Sequence, residues 1–192
     1  MLRTLPAGKT ALSQEYAVHF GLGSRRGKTN RGVSRVNKVA TTDARTRTEL
    51  FGETAERKNL AEAIVEKDFW VCWVLKRLFS NKAFEGRLLF KGGTSLSKIF
   101  HAINRFSEDI DLAVDYAALG FTGDTDPRQE NISKSKRNAI LDEMMGTCRG
   151  YIAAEFLDTF REQCAEILGA GDAWGLDVNK TDHSAVLWRG HT

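Results

Sequence analysis

The sequence predicts an α+β domain, in which a small mixed sheet is flanked by helices. Apolar residues at three- and four-residue spacing predict amphipathic helices, and short apolar or alternating runs between turn residues predict strands. Hydrophobic residues make up 42% of the 192 residues. That content is enough to bury a core, so a globally disordered chain is excluded.

The N-terminal segment differs in composition from the rest. Residues 1–47 carry ten Lys or Arg and two acidic residues, a net charge of +8, whereas the remainder has a net charge of −5. The segment has no sustained hydrophobic period, so we predict a basic, disordered leader over residues 1–46 and one core domain over residues 47–192. The leader is either plain unstructured chain or an arm that attracts nucleic acid, and its composition also resembles a transit peptide.

The core is predicted to begin with a helix that ends near Ser80 and Asn81. Its apolar stripe is formed by Leu60, Ile64, Val65, Phe69, Cys72, Leu75 and Phe79. A short strand over residues 88–90 follows and stops at a tight turn. Residues 109–115 alternate between acidic and apolar side chains, which predicts a second strand.

The C-terminal half is predicted to be a loop, a long helix and a hairpin. Turn residues dominate 118–132, and apolar residues then recur at a strict four-residue step from Ile140 to Leu168. This stripe rotates slowly around the helix, so we expect it to pack on more than one partner. Gly169 ends the helix, and two short strands are expected on either side of residues 179–183.

Cysteine content and hydropathy exclude several classes of protein. The three cysteines form no C-x-x-C pair and are too few for a disulfide framework, so we predict buried free thiols in a reducing compartment. No apolar stretch approaches the roughly 20 residues needed to span a membrane. We therefore predict a cytoplasmic protein without a membrane partner.

Two aspartates on the second predicted strand are candidate metal ligands. Asp109 and Asp111 are two residues apart, so on a strand their side chains share one face, with Cα atoms about 6.5–7 Å apart. Carboxylate oxygens are the ligands that Mg²⁺ prefers, and triphosphate oxygens can complete its coordination shell.

A candidate phosphate site precedes these aspartates. Gly92 and Gly93 lie at a strand-to-helix turn, where missing side chains let backbone N–H groups approach a phosphate. The hydroxyl of Thr94 and the positive charge of Lys91 add to this site. No G-x-x-x-x-G-K-[ST] motif occurs, so it is not a Walker A loop.

The order of these motifs resembles that of polymerase-β-like nucleotidyltransferases. The strings Glu66–Trp70, Lys91–Leu96 and Arg105–Leu112 are similar to those of the AbiEii/AbiGii toxin family of nucleotidyltransferases. The resemblance runs from about Thr48 to about Leu187.

Membership of that family implies a polymerase-β-like core and an Mg²⁺-dependent transfer of a nucleotide from an NTP to an acceptor, expected to be RNA and specifically tRNA. It also implies a toxin of a bacterial toxin–antitoxin or abortive-infection system, with a cognate antitoxin as partner. The family's nucleotide-binding positions correspond to Lys91, Gly92, Gly93, Thr94 and Ser107. Its catalytic metal ligands correspond to Asp109 and Asp111.

Family members normally add a third carboxylate from a later strand, so the resemblance also implies a core that is incomplete at the C-terminus. Asp115 is expected to lie too far along its strand for that role, and Asp177 is the candidate in the tail. The alternative function is a catalytically incomplete remnant that binds an NTP or a partner. A basic nucleic-acid-binding module, resting on the leader alone, is a further alternative.

Two other segments have open interpretations. Glu66–Trp70 either braces the site and touches the acceptor, or supplies exposed helix charges and a packing tryptophan. The basic start of the long helix, residues 133–137, either meets phosphates of an NTP or RNA, or is a solvated helix end.

Overall fold

The computed structural model describes residues 29–91, 109–171, 173–181 and 186–189, with side chains from residue 35 onward. The α-helices of these ranges are α1 (Thr29–Ala40), α2 (Ala44–Lys58), α3 (Glu62–Ser80), α4 (Lys134–Tyr151) and α5 (Leu157–Leu168). The strands are β1 (Leu88–Lys91), β2 (Asp111–Val114), β3 (Gly175–Val178) and β4 (Val186–Arg189). Short 3₁₀ turns cover Lys82–Phe84 and Gly123–Thr125, and a π-helical turn covers Ile152–Phe156.

The predicted α+β class is confirmed. The described strands form two antiparallel two-stranded sheets, β1 with β2 and β3 with β4, where one small mixed sheet was expected. The β3–β4 hairpin was predicted around residues 179–183. Its connection is too short for a parallel crossover, which needs a dozen residues or more.

A disordered leader was predicted over residues 1–46. The structure describes residues 29–46 of this segment, and they contain helical chain. Helix α1 lies entirely within this segment, and α2 crosses the boundary expected at residue 46. Val36 packs against the hydrophobic core and Ala40 is fully buried. These two residues are four positions apart and share one helix face. So short a stripe was hidden among polar and basic neighbours, which explains the missed helix.

Helix α3 corresponds to the first predicted core helix, whose apolar stripe begins at Leu60, and α2 is an additional helix before it. The break lies at Asn59, which adopts the left-handed conformation with φ of 52° and ends α2. Asparagine tolerates this conformation better than most residues. The end of α3 at Ser80 was predicted, and the Asn81 side chain accepts a hydrogen bond from the Ala83 backbone N–H over 2.9 Å.

The long helix is continuous from α4 through the π turn to α5. Its predicted stripe is buried at Ile140, Met144, Cys148, Ile152, Phe156, Phe160 and Cys164. In a regular α-helix a four-residue step rotates the stripe by about 40° each time. The extra residue of the π turn rotates the stripe by about 100° in the opposite direction. The π turn therefore keeps both halves of the stripe directed at buried surfaces.

Helix α3 lies at the centre of the packing. Its fully buried residues include Trp73 and Leu75. One side of α3 belongs to the main core, together with the π turn, α5 and β3. Another side contacts the β1–β2 ribbon, where Val71 and Leu75 pack on Phe90. The position of the ribbon is thus fixed by α3.

The prediction that the cysteines are buried free thiols is confirmed for two of the three residues. All three cysteines are free, Cys148 and Cys164 are buried, and Cys72 is half-buried. Burial raises the pKa of the Cys164 thiol to about 12, so this thiol stays protonated at neutral pH.

In the part of the chain that the structure describes, no helix has the length and apolar content required to cross a bilayer.

Candidate functional site

The register of the β1–β2 ribbon brings a lysine and an aspartate together at one end. Lys91, the last residue of β1, is paired directly with Asp111, the first residue of β2. Residues directly opposite each other in an antiparallel pair have Cβ atoms about 4.5–5.5 Å apart and lie on the same face. A cationic and an anionic side chain, both half-buried, therefore share one face of the ribbon.

The opposite face of the ribbon is apolar and positions this end. Phe90 pairs with Leu112, one position inward from the end of the ribbon. Phe90 is 2% exposed and packs with Leu112 against Val71 and Leu75 of α3. Because side chains alternate along a strand, anchoring this pair on α3 directs Lys91 and Asp111 away from it.

Asp109 lies just outside the strand that was predicted to contain it. Strand β2 begins at Asp111, whereas Asp109 is exposed and precedes it by two residues. Ile110 lies between them and packs against the cluster of Val71 and Phe90. The packing of Ile110 fixes the chain between the two aspartates, although regular strand geometry applies only to the second.

The far end of the ribbon is held by a residue that sequence reasoning missed. The Arg87 carbonyl accepts a hydrogen bond from the Asp115 N–H over 2.8 Å, which extends the pairing beyond β1. The Arg87 guanidinium donates to Glu155 of the π turn over 2.8 Å and lies 5.9 Å from the centroid of the Tyr151 ring. Arginine next to a short apolar run carries no local signal for this contact, because Glu155 is distant in sequence.

Asp115 has a structural role. Its carboxylate accepts a hydrogen bond from the Ala117 N–H over 2.9 Å, which forms an Asx turn after β2. It was expected to lie too far along the strand to join Asp109 and Asp111, and it sits at the opposite end of the ribbon from them.

The tail candidate for a third carboxylate belongs to the other sheet. Asp177 is an exposed residue of β3, and its Oδ2 lies 3.3 Å from the Arg189 Nη2. Strand β3 pairs with β4 and not with the ribbon that carries Asp111. In the structure Asp177 has an arginine partner, and its role as a third carboxylate stays a prediction.

Four of the predicted nucleotide-binding residues lie outside the described residues. They are Gly92, Gly93, Thr94 and Ser107. The described chain borders this segment at Lys91 on one side and at Asp109 on the other. The assigned roles of these four residues stay predictions.

The donor set of the site matches the needs of a hard divalent cation. Within the described ranges, no group of three or more His, Cys, Asp or Glu residues is arranged to hold a metal ion. Mg²⁺ is usually bound by one or two carboxylates, with substrate phosphates and water as its remaining ligands. Asp109 and Asp111 supply that number of carboxylates, so the residues fit Mg²⁺ in the presence of a triphosphate.

The Glu66–Trp70 segment contains one clearly structural residue. Trp70 is 6% exposed, its ring lies edge-on to Trp73 with centroids 5.8 Å apart, and the Arg47 guanidinium lies 5.7 Å from its centroid. The packing interpretation therefore applies to Trp70. Glu66, Lys67 and Asp68 are on α3 with exposed or half-buried side chains, and their interpretation stays open.

The basic start of α4 is exposed apart from one anchored arginine. Ser133 caps the helix by accepting from the Lys136 N–H over 3.1 Å. Arg137 donates to the Gln129 carbonyl over 2.8 Å, whereas the side chains of Lys134 and Lys136 are exposed. Both of the sequence-based interpretations of this segment remain.

Comparison with known protein families decides the affiliation of the chain. Residues 73–186 match the family described as nucleotidyl transferase AbiEii toxin, type IV toxin–antitoxin system. The chain belongs to this family. The match confirms the resemblance seen in the sequence and includes Lys91, Asp109 and Asp111, whereas Glu66–Trp70 lies before it. No curated protein and no solved structure gives a significant match.

Membership of the AbiEii family connects the ribbon to nucleotide transfer. The family is that of nucleotidyltransferase toxins, and nucleotidyl transfer needs groups that hold a triphosphate and balance its charge. The charged end of the ribbon, Lys91 and Asp111 with Asp109 beside them, lies within the matched residues.

Proposed function

We propose that this chain is a Mg²⁺-dependent nucleotidyltransferase that moves a nucleotide from an NTP to an RNA acceptor, specifically tRNA. It would act in the cytoplasm as the toxin of a bacterial toxin–antitoxin system, with a cognate antitoxin as its partner. The observation that carries the proposal is the pairing of Lys91 with Asp111 at the end of the ribbon, two residues after Asp109 and inside the AbiEii match.

Each residue of the site has a distinct task in this proposal. Asp109 and Asp111 would hold Mg²⁺, which neutralises charge on the phosphates when it is bound. Lys91 would orient the triphosphate from the neighbouring strand, because its ammonium group and the Asp111 carboxylate share a face. Gly92, Gly93, Thr94 and Ser107 would bind the phosphates through backbone N–H groups and hydroxyls.

The arrangement of the ribbon also supports in-line transfer. Displacement at the α-phosphate is accelerated mainly by positioning and by charge stabilisation. A ribbon anchored on α3 by Phe90 and on the π turn by Arg87 keeps the lysine and the aspartate at fixed positions. The backbone positions of Lys91 and Asp111 are therefore set by the fold before the substrate arrives.

The proposal is tested by nucleotide transfer with matched variants. The purified chain is incubated with α-labelled NTPs, Mg²⁺ and total tRNA, and the labelled RNA is resolved on a gel. Asp109→Asn and Asp111→Asn should each lower the transfer rate by at least about 100-fold, since each removes a metal-binding charge. Asp124→Asn, at an exposed aspartate of a 3₁₀ turn, is the control and should transfer at the wild-type rate.

A second pair of variants addresses the lysine. Lys91→Met should raise the KM for NTP, while Lys82→Met, at an exposed lysine, should leave it unchanged. Thermal unfolding of every variant separates loss of activity from loss of fold. Equal transfer by the wild type and both aspartate variants would remove these residues from the mechanism. NTP binding without any transfer would favour the catalytically incomplete remnant.

A further inference from the structure

A groove of about 350 Å³ lies between the end of α5 and the β3–β4 hairpin. It is lined by one tryptophan, two arginines and one aspartate, together with small residues. The polar and aromatic members are Trp174, Arg161, Arg189 and Asp177. None of these residues has a task in the proposed transfer site on the β1–β2 ribbon.

The tryptophan of the groove is held in a fixed orientation. The Trp174 Nε1 donates a hydrogen bond to the Gly169 carbonyl over 3.0 Å. Its ring stacks on Trp188 with centroids 5.9 Å apart and an interplanar angle of 25°. Trp188 itself packs against both Trp70 and Trp73, with centroid distances of 5.7 and 5.6 Å. A planar ligand would therefore meet an aromatic surface that needs no reordering.

The two arginines are also positioned by the fold. Arg161 donates to the Leu176 carbonyl over 3.1 Å, which ties α5 to β3, and to the Asp158 carboxylate over 2.9 Å in an exposed ion pair of the kind that contributes little stability. The Arg189 guanidinium lies against Gly175, where an added Cβ would be 2.7 Å from its Nη2. The absence of a side chain at Gly175 thus leaves room for the guanidinium at the groove.

Arg189 has a weak partner that an anion can replace. Its Nη2 lies 3.3 Å from the Asp177 Oδ2, and the two side chains are 75% and 62% exposed. Such exposed ion pairs contribute little stability, because water screens both charges. A phosphate can therefore displace Asp177 at small cost.

We propose that this groove binds a nucleotide unit of single-stranded RNA, with the base on Trp174 and the phosphate on Arg189 and Arg161. Aromatic stacking combined with backbone contacts from cations is the usual chemistry of single-strand binding. The inference rests on the proposed function in one respect, namely that the acceptor is RNA. The groove then serves as a docking point for the acceptor that is separate from the NTP site.

Binding of a labelled single-stranded RNA of about six nucleotides, followed by fluorescence anisotropy in EDTA, tests the proposal without any transfer. Trp174→Leu and Arg189→Gln should each weaken binding about tenfold. Arg189→Gln should also reduce the salt dependence of binding, by roughly 0.7 in the slope of log K against log salt. Arg57→Gln, at a 72% exposed arginine of α2 outside the basic N-terminal segment, is the charge-matched control and should leave affinity unchanged.

A variant with the opposite sign makes the test sharper. Asp177→Asn removes the carboxylate that competes for Arg189, so RNA should bind about threefold more tightly. A groove that takes no anion would show no such gain. If Trp174→Leu does not fold, Arg189→Gln and Asp177→Asn carry the test, since both positions are largely exposed.

The outcomes separate this proposal from the proposed function. The groove proposal is overturned if the Arg189 and Asp177 variants bind RNA with the same affinity as the wild type. This conclusion would hold even if Asp111→Asn still lowered the labelling of tRNA. RNA affinity that depends on the groove supports it, even if no nucleotide transfer is found. ATP in EDTA that displaces the RNA as effectively as unlabelled RNA would show a site for free nucleotide, and would overturn the assignment to RNA.

Discussion

Replacing Arg77 with methionine is expected to stabilise the protein. The Arg77 side chain, on α3, is 7% exposed, and its Nε has no hydrogen-bond partner among the described residues. Burial lowers the pKa of the guanidinium, and the thiol of Cys164 is the neighbour that acts against this shift. A buried cation without a carboxylate partner is costly, because it loses its hydration and gains no counter-ion.

The expected change in the free energy of unfolding follows from the contacts that Arg77→Met keeps and those that it removes. Methionine has a similar helix propensity and preserves an unbranched apolar stem. The hydrogen bonds to position 77 use its main-chain carbonyl, which accepts from the Gln163 Nε2 over 3.0 Å and from the Ser80 Oγ over 3.2 Å, so they survive. Removing the buried guanidinium, whose Nε lacks a hydrogen-bond partner among the described residues, should raise the free energy of unfolding by about 1–2 kcal/mol. The Tm should rise by about 2–8 °C.

Urea unfolding followed by circular dichroism measures the change. Lys76→Met is the matched control, because Lys76 is the adjacent, half-buried cation whose pKa burial also lowers. It should stabilise less, since a half-exposed ammonium keeps much of its hydration. A loss of more than about 1 kcal/mol in Arg77→Met would refute the reasoning. It would show that the guanidinium has a strong anionic partner in the folded protein.

Three further predictions concern stability and reactivity. Gly146→Ala and Gly150→Ala should each raise the free energy of unfolding by about 1 kcal/mol in urea titrations, because both glycines lie inside α4 with open space around them. Asp43→Ala should lower the Tm at pH 7, since the carboxylate caps α2 and the Thr46 N–H lowers its pKa. That stabilisation is present above the ordinary pKa and is lost as the pH falls through the lowered one, so the difference in Tm should vanish in acid. A thiol reagent should modify Cys72 in the native protein before Cys164, whose pKa burial raises to about 12; mass spectrometry that finds Cys164 labelled first would contradict this.

Several features could be read from local sequence. Asn81 and Gly169 end their helices in the structure, as turn chemistry predicts. The four-residue stripe of the long helix was correctly assigned to the core. The pairing of β3 with β4 also followed from two short apolar runs around a polar turn. These signals work because hydrogen bonds and side-chain contacts within a helix or hairpin join residues that are close in sequence.

Other secondary-structure elements were not predicted, because their sequence patterns are short or interrupted. Helix α1 was missed because its apolar stripe, Val33, Val36 and Ala40, covers only about two turns within a polar and basic segment. Helix α2 was not predicted, because the apolar stripe recognised in the sequence begins only at Leu60, after Asn59, and the buried residues of α2 are Arg47, Phe51 and Ala55. The π turn leaves no local signature, and its effect is visible only as a stripe that stays buried over both halves of the helix.

The candidate site likewise has features that could be predicted from local sequence and features that could not. The chemistry of the site could be predicted from the residues alone: two aspartates separated by one position, a lysine before two glycines, and the family that their order indicates. Three contacts could not be predicted in that way and are visible only in the fold: Lys91 lies opposite Asp111, Arg87 anchors the ribbon on Glu155, and Asp177 belongs to a separate sheet with Arg189 as its partner. Strand register and ion pairs of this kind join residues far apart in the chain. They are selected by the burial of whole faces, such as that of Phe90 on α3, and not by the local preferences of the residues themselves.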